Sequence, residues 1–190
     1  MKQFSNAVSM SLSKITRDGR ALLLAYDHGM EHGTADFNQR SIDPEKILEL
    51  AESGYFTGVI FQKGVAEKYY RPGVNHAPLI IKLNGKTSLT GDPEPYSPLL
   101  CSVEEAVSLG ASALGYTIYI GSKYESRMMK EFSQVEQEAD EQGLPLIAWM
   151  YPRGRAVFGK EFSPEVLSYA ARAALELGAE MVKIPYTGDP

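Results

Sequence analysis

The chain has a single cysteine, Cys101, among 190 residues. One thiol cannot close an internal disulfide, so the sequence predicts a reducing, cytoplasmic setting. Long apolar runs are missing too. The longest, at 21–26 and 146–151, are strand-sized and far too short to span a bilayer. Residues 1–8 carry Gln, Ser and Asn where a signal peptide needs an apolar stretch. Positive charge is in deficit: 19 Lys and Arg stand against 24 Asp and Glu, a net charge of −5. Neither nucleic acid nor an anionic membrane is the expected partner. A phosphate site must then be local, built from amides and a few cations. Nucleotide-binding glycine loops are also absent. The turn after the first predicted strand is Asp27-His28-Gly29-Met30-Glu31-His32-Gly33, which lacks G-x-G-x-x-G. Asn84-Gly85-Lys86-Thr87 shares letters with the end of a P-loop, but the first glycine of that motif would fall on Ile80, inside a strand.

What is present is an ordinary globular composition, 44% hydrophobic and 23% charged. The length suits one domain or part of one, and we read 1–190 as a single unit with no internal linker. A pattern of capped helix, glycine stop and apolar strand recurs. Asp43-Pro44-Glu45 starts a helix that Gly54 ends, and the strand 57–62 follows. Ser102-Val103-Glu104-Glu105 is a capping box whose helix stops at Gly110, before the strand 113–119. A longer helix, 123–142, ends at Gly143 before the strand 145–150. Ser163-Pro164-Glu165 opens a helix that ends at Gly178, before the strand 180–184. Strands at 21–26 and 78–83 complete a set of six, and Ile15 marks a segment expected to close the bottom of the fold. Residues 85–98 interrupt one unit as a loop rich in glycine and proline. Apolar strands alternating with helices predict an α/β fold with a covered parallel sheet. Of the two architectures that fit, a TIM (β/α)8-type barrel is preferred over an open doubly wound sheet, with six of eight strand–helix units present.

Polar residues gather where the predicted strands end: Asp27, Gln62 and Lys63, Lys82 and Asn84, Tyr119, Tyr151 and Arg153, and Lys183. Barrel enzymes place their active sites on that rim. Lys183 lies in an apolar strand and points either outward between helices or into the barrel. Burial disfavours an ammonium, and a neutral amine attacks carbonyls, the entry to Schiff-base chemistry. The alternative is a lysine paired to a carboxylate. Asp27 either serves chemistry or caps the following turn. Tyr151 is a general acid/base or a packed strand-end tyrosine, and Trp149 shares its face of the strand and either walls a pocket or fills the core. Arg153 is a phosphate ligand or a surface arginine. His28-x-x-Glu31-His32 has the letters of a zinc-protease motif, but the flanking Gly29 and Gly33 argue against the helix that motif needs. Substrate hydrogen bonding by His28 and His32 is the preferred reading over metal ligation. Cys101 has no nearby base and reads as packing.

Taken together, these segments resemble the archaeal-type class I fructose-1,6-bisphosphate aldolases. The resemblance is carried by Leu24-Ala25-Tyr26-Asp27-His28-Gly29-Met30-Glu31-His32-Gly33 and Phe61-Gln62-Lys63-Gly64-Val65-Ala66-Glu67-Lys68-Tyr69-Tyr70. Lys82-Leu83-Asn84-Gly85-Lys86-Thr87, Gly115-Tyr116-Thr117-Ile118-Tyr119, Tyr151-Pro152-Arg153-Gly154 and Lys183-Ile184-Pro185-Tyr186-Thr187-Gly188-Asp189 continue it. It implies reversible cleavage of fructose 1,6-bisphosphate without metal or other cofactor, in a homo-oligomer. Lys183 falls on the Schiff-base lysine, Tyr151 on the proton-transferring tyrosine, and Asp27 on the first-strand aspartate. Trp149 matches a pocket residue and Arg153 a phosphate contact.

The sequence reaches only Pro190, just past the sixth strand, whereas barrels of this type run to about 250 residues and eight strands. The expectation is therefore a fragment or a chain that needs a partner, with apolar edges exposed at the first and sixth strands. Three other functions compete. One is a Schiff-base transaldolase or thiolase acting on another phosphorylated compound. Another is a non-catalytic remnant or oligomerisation module, and the last is a metal-dependent hydrolase at His28 and His32.

Overall fold

The computed structural model describes residues 12–188. Six strands form one sheet in chain order: β1 (Leu23–Ala25), β2 (Gly58–Gln62), β3 (Leu79–Lys82), β4 (Ala111–Ile120), β5 (Leu146–Pro152) and β6 (Met181–Lys183). Every neighbouring pair is parallel. The helices are α1 (Gly29–His32), α2 (Pro44–Ala51), α3 (Lys63–Tyr69), α4 (Val103–Ser108), α5 (Glu125–Glu141) and α6 (Pro164–Glu176), with a 3-10 turn at Arg155–Val157. No helix among the described residues is long and apolar enough to cross a membrane.

The predicted caps are in place. Asp43 accepts from the Glu45 N–H at 3.0 Å, Ser102 from the Glu105 N–H at 3.1 Å, and Ser163 from the Val166 N–H at 3.3 Å. Each satisfies an amide that the first helical turn leaves without a partner. The predicted stops Gly54 and Gly178 hold positive φ of 83° and 93°, a conformation that a Cβ disfavours.

Strand parity divides the core in two. Val59, Phe61, Leu79, Ile81, Leu114, Tyr116, Leu146 and Ala148 face the helices and form the larger cluster. Ile60, Ile80, Ala113, Ile147 and Trp149 face the other way and pack around Ile15. Ile15 is fully buried, so the segment before β1 plugs the inner side as expected, a burial that contributes about 2 kcal/mol. Successive side chains alternate across a sheet. Continuing the inner row toward the C-terminal strand ends gives Asp27, Gln62, Lys82, Tyr119, Tyr151 and Lys183. Residues 85–98 carry no helix or strand, and a bridge between Asn84 and Leu99 closes the base of this loop. Leu22, Val182 and Ile184, on or beside the outer strands β1 and β6, are exposed.

Candidate active site

A cavity of about 270 Å³ opens at the C-terminal rim of the inner face. Asp27, Lys82, Tyr119, Tyr151 and Lys183 meet there, with His28, Glu31, His32 and Arg153 around the mouth. Trp149 stands close to both lysines: the Nζ of Lys82 is 5.4 Å from the indole centroid and that of Lys183 5.5 Å. Lys183 Nζ is also 5.9 Å from the Tyr151 ring. Lys183 therefore points inward. It is exposed rather than enclosed, because among the described residues β6 pairs with β5 alone.

The indole fits because residue 115 is glycine. A Cβ there would lie 2.2 Å from Trp149 Cη2. Gly115 shares the inner parity of β4, so the ring folds over its bare backbone. The loop after β5 is held in the same manner. Gly154 has φ of 122° and a Cβ on it would meet the Gly121 carbonyl oxygen at 2.2 Å. The Arg153 N–H donates to Ile120 O at 2.9 Å. This close approach sets Arg153 at the rim, where its guanidinium carbon lies 5.5 Å from the Phe162 ring.

Asp27 is buried and does not cap the turn after it; His28 holds that position. Its ion-pair partner is Lys82, at 3.3 Å, rather than Lys183. Glu31 lies beside this pair. It is 3.9 Å from Lys82 Nζ and 3.6 Å from Lys86 Nζ, and it accepts a 2.5 Å hydrogen bond from Tyr119. Burial, and then the Glu31 carboxylate, push the Tyr119 phenol upward, so it stays a donor.

Two expectations are corrected. The first is that residues 28–32 do form a helical turn, since the His32 N–H donates to His28 O at 2.8 Å. Residues 26–28 lie between the end of β1 and the helical turn, and the glycines at 29 and 33 do not prevent it. Within it, His32 Nδ1 engages Asp36 Oδ2 at 2.6 Å and the His28 ring packs 5.0 Å from Phe37. Among the described residues, no three of the His, Cys, Asp and Glu side chains are grouped to hold a metal ion. The second is that Lys63 leaves the rim. It begins α3 and turns outward to Glu105 at 2.9 Å, because it follows the inward-facing Gln62 and so takes the outward parity. Cys101 is buried with its thiol pushed up to about 12, first by burial and then by Glu105.

Sequence reasoning placed Lys82 at the rim without a specific role, and named Glu31 and Lys86 only within motifs. Parity from Ile80 to Lys82 was the available signal. A larger cavity of about 620 Å³ lies between α1, α2 and α3. Met30, Phe37, Val65 and Leu100 make it largely apolar, and neither Lys183 nor Tyr151 lines it.

Residues 21–189 match the model of the DeoC/LacD family aldolases. The chain belongs to that family. Within it, the chain is 55% identical over 188 residues to the class 1 fructose-bisphosphate aldolase of Thermoproteus tenax, covering 98% of this chain and 70% of that protein. It is 41% identical over 179 residues to the Halobacterium salinarum protein of the same description, covering 93% of this chain and 67% of that one. A crystal structure of an archaeal fructose 1,6-bisphosphate aldolase superposes with a TM-score of 0.90 at 55% identity, covering 97% of this chain and 72% of that one. Another aldolase structure, with its catalytic lysine covalently bound to the carbinolamine intermediate, superposes with a TM-score of 0.90 at 53% identity over the same shares. The fold is accordingly that of a TIM-barrel aldolase, present as six parallel strands, with a helix after each of the first five.

Proposed function

We propose that this aldolase reversibly cleaves fructose 1,6-bisphosphate to dihydroxyacetone phosphate and glyceraldehyde 3-phosphate through a Schiff base on Lys183. The observation that carries this reading is the meeting of Lys183, Tyr151 and Asp27 at one cavity beside Trp149, in a chain 55% identical to a class 1 fructose-bisphosphate aldolase. The amine of Lys183 adds to the C2 carbonyl, and loss of water gives an iminium. Tyr151 takes the C4 hydroxyl proton as the C3–C4 bond breaks, and the bonding pair flows into the iminium to give an enamine. Glyceraldehyde 3-phosphate leaves. Protonation at C3 and hydrolysis then release dihydroxyacetone phosphate. Asp27 assists carbinolamine formation, and Arg153 binds a substrate phosphate through its planar guanidinium. His28 and His32 hydrogen-bond substrate hydroxyls. No step calls on a metal or other cofactor, and the assembly we expect is a homo-oligomer.

The identity to a 2-amino-3,7-dideoxy-D-threo-hept-6-ulosonate synthase is lower, 35%, which favours the fructose-bisphosphate reading over that one. The test is borohydride trapping with dihydroxyacetone phosphate, followed by peptide mapping. An adduct on Lys183 that disappears in Lys183→Met is the expected result. Trapping that persists in Lys183→Met would sink the assignment.

A further inference from the structure

Among the described residues two lysines line this cavity, and the buried one is not the proposed nucleophile. Lys82 is almost wholly enclosed, with 6% of its side chain exposed, whereas Lys183 is open to solvent. Their surroundings also differ. Lys82 Nζ lies 3.3 Å from Asp27 and 3.9 Å from Glu31, while the close neighbours of Lys183 Nζ are the faces of Trp149 and Tyr151. A buried carboxylate needs a cation beside it. Asp27 lines the same cavity as both lysines and pairs with the one on β3.

We infer that Lys82 is a positioning residue that occupies the Asp27 carboxylate and so leaves the Lys183 nitrogen free of an ion pair among the described residues. This rests on the reading of Lys183 as the nucleophile. Lys82 touches no reacting atom in this account. It acts through Asp27, and Glu31 steadies it from the other side while itself held by the Tyr119 hydroxyl and Lys86. Without the Lys82 charge, Lys183 is the remaining lysine of the cavity, and Asp27 draws it into an ion pair. A nitrogen held in that way is a poorer nucleophile. Arg153 also lines the cavity, but its Nη1 is engaged by Pro152 O at 2.8 Å.

The test is competitive acetylation of the whole chain with acetic anhydride at one fixed pH. The rate at Lys183 is read by mass spectrometry against the exposed Lys46 and Lys160. This readout needs neither substrate binding nor turnover, so it stands apart from failure of the aldolase reading, which borohydride trapping tests. In Lys82→Gln, which keeps a donor toward Asp27 and removes the charge, the relative rate at Lys183 falls about tenfold, the order expected when a carboxylate closes on an amine. In Lys82→Arg the rate stays near that of the parent, because the charge is kept. Lys82→Met behaves like Lys82→Gln wherever circular dichroism shows it folded. An unchanged rate in a folded Lys82→Gln protein overturns the inference. So does an equal loss in Lys82→Gln and Lys82→Arg, since a purely structural role would not distinguish charge from shape.

Discussion

Replacing Asn84 by alanine tests how the rim is held. Asn84 is fully buried just past the end of β3. Its Nδ2 donates to Ser97 O at 3.0 Å and Thr117 O at 2.8 Å, and its Oδ1 accepts from the Thr117 N–H at 2.8 Å. The side-chain amide thus continues the ladder to β4 where the β3 backbone turns away, and it ties down the loop 85–98. Alanine leaves the Thr117 N–H buried without a partner, at about 2 kcal/mol, and removes one donor from each carbonyl, at about 1 kcal/mol apiece. The hydroxyls of Ser97 and Thr117 beside it already lack hydrogen-bond partners among the described residues. The expected loss is about 4 kcal/mol, a large part of the roughly 5–15 kcal/mol that holds a domain folded. Urea unfolding followed by circular dichroism measures it, with the midpoint falling and the slope unchanged. Asn84→Asp loses at least as much, because its acceptors then face two carbonyls. A loss below about 1 kcal/mol in Asn84→Ala would refute the reasoning, since it is less than one such orphaned amide costs.

Gly115→Ala drives a methyl group into the Trp149 ring, which has no room to move inside the inner cluster; the strain is of the order of 1–3 kcal/mol. Trp149 is the single tryptophan, so its emission shifts to the red and trapping at Lys183 is lost, whereas unchanged emission would contradict the packing. Glu180 accepts from the Leu146 N–H at 2.8 Å, and burial raises its carboxyl above the ordinary 4.5. The folded chain then binds more protons than the unfolded chain in the window just above that value, so this group's contribution is full below 4.5 and declines as pH rises through the raised value. Glu180→Gln keeps the acceptor and flattens that part of the stability–pH curve, and a curve of unaltered slope would contradict the cause named here.

Much of this protein was written locally. Helix starts at Asp43, Ser102 and Ser163 depend on a side chain reaching an amide two or three residues away, and helix ends at Gly54, Gly110 and Gly178 on one residue's freedom to take positive φ. Six apolar strands between them require a covered parallel sheet. Period-2 alternation then puts Trp149, Tyr151 and Lys183 on its inner face. The strand ends moved by a residue or two, because the ladder and not the apolar run decides where pairing stops.

What the tertiary structure alone decided is who meets whom across the rim. Lys63 found its partner in Glu105 on α4. Asp27 chose Lys82 over Lys183, and Glu31 entered the site through a helical turn that the flanking glycines argued against. Ion pairs depend on distance and burial, and those are set by strands far apart in the chain brought side by side in the sheet. Sequence by itself determined which groups stand at the strand ends; only the curvature and order of the sheet determined which charges are paired and which lysine is left free.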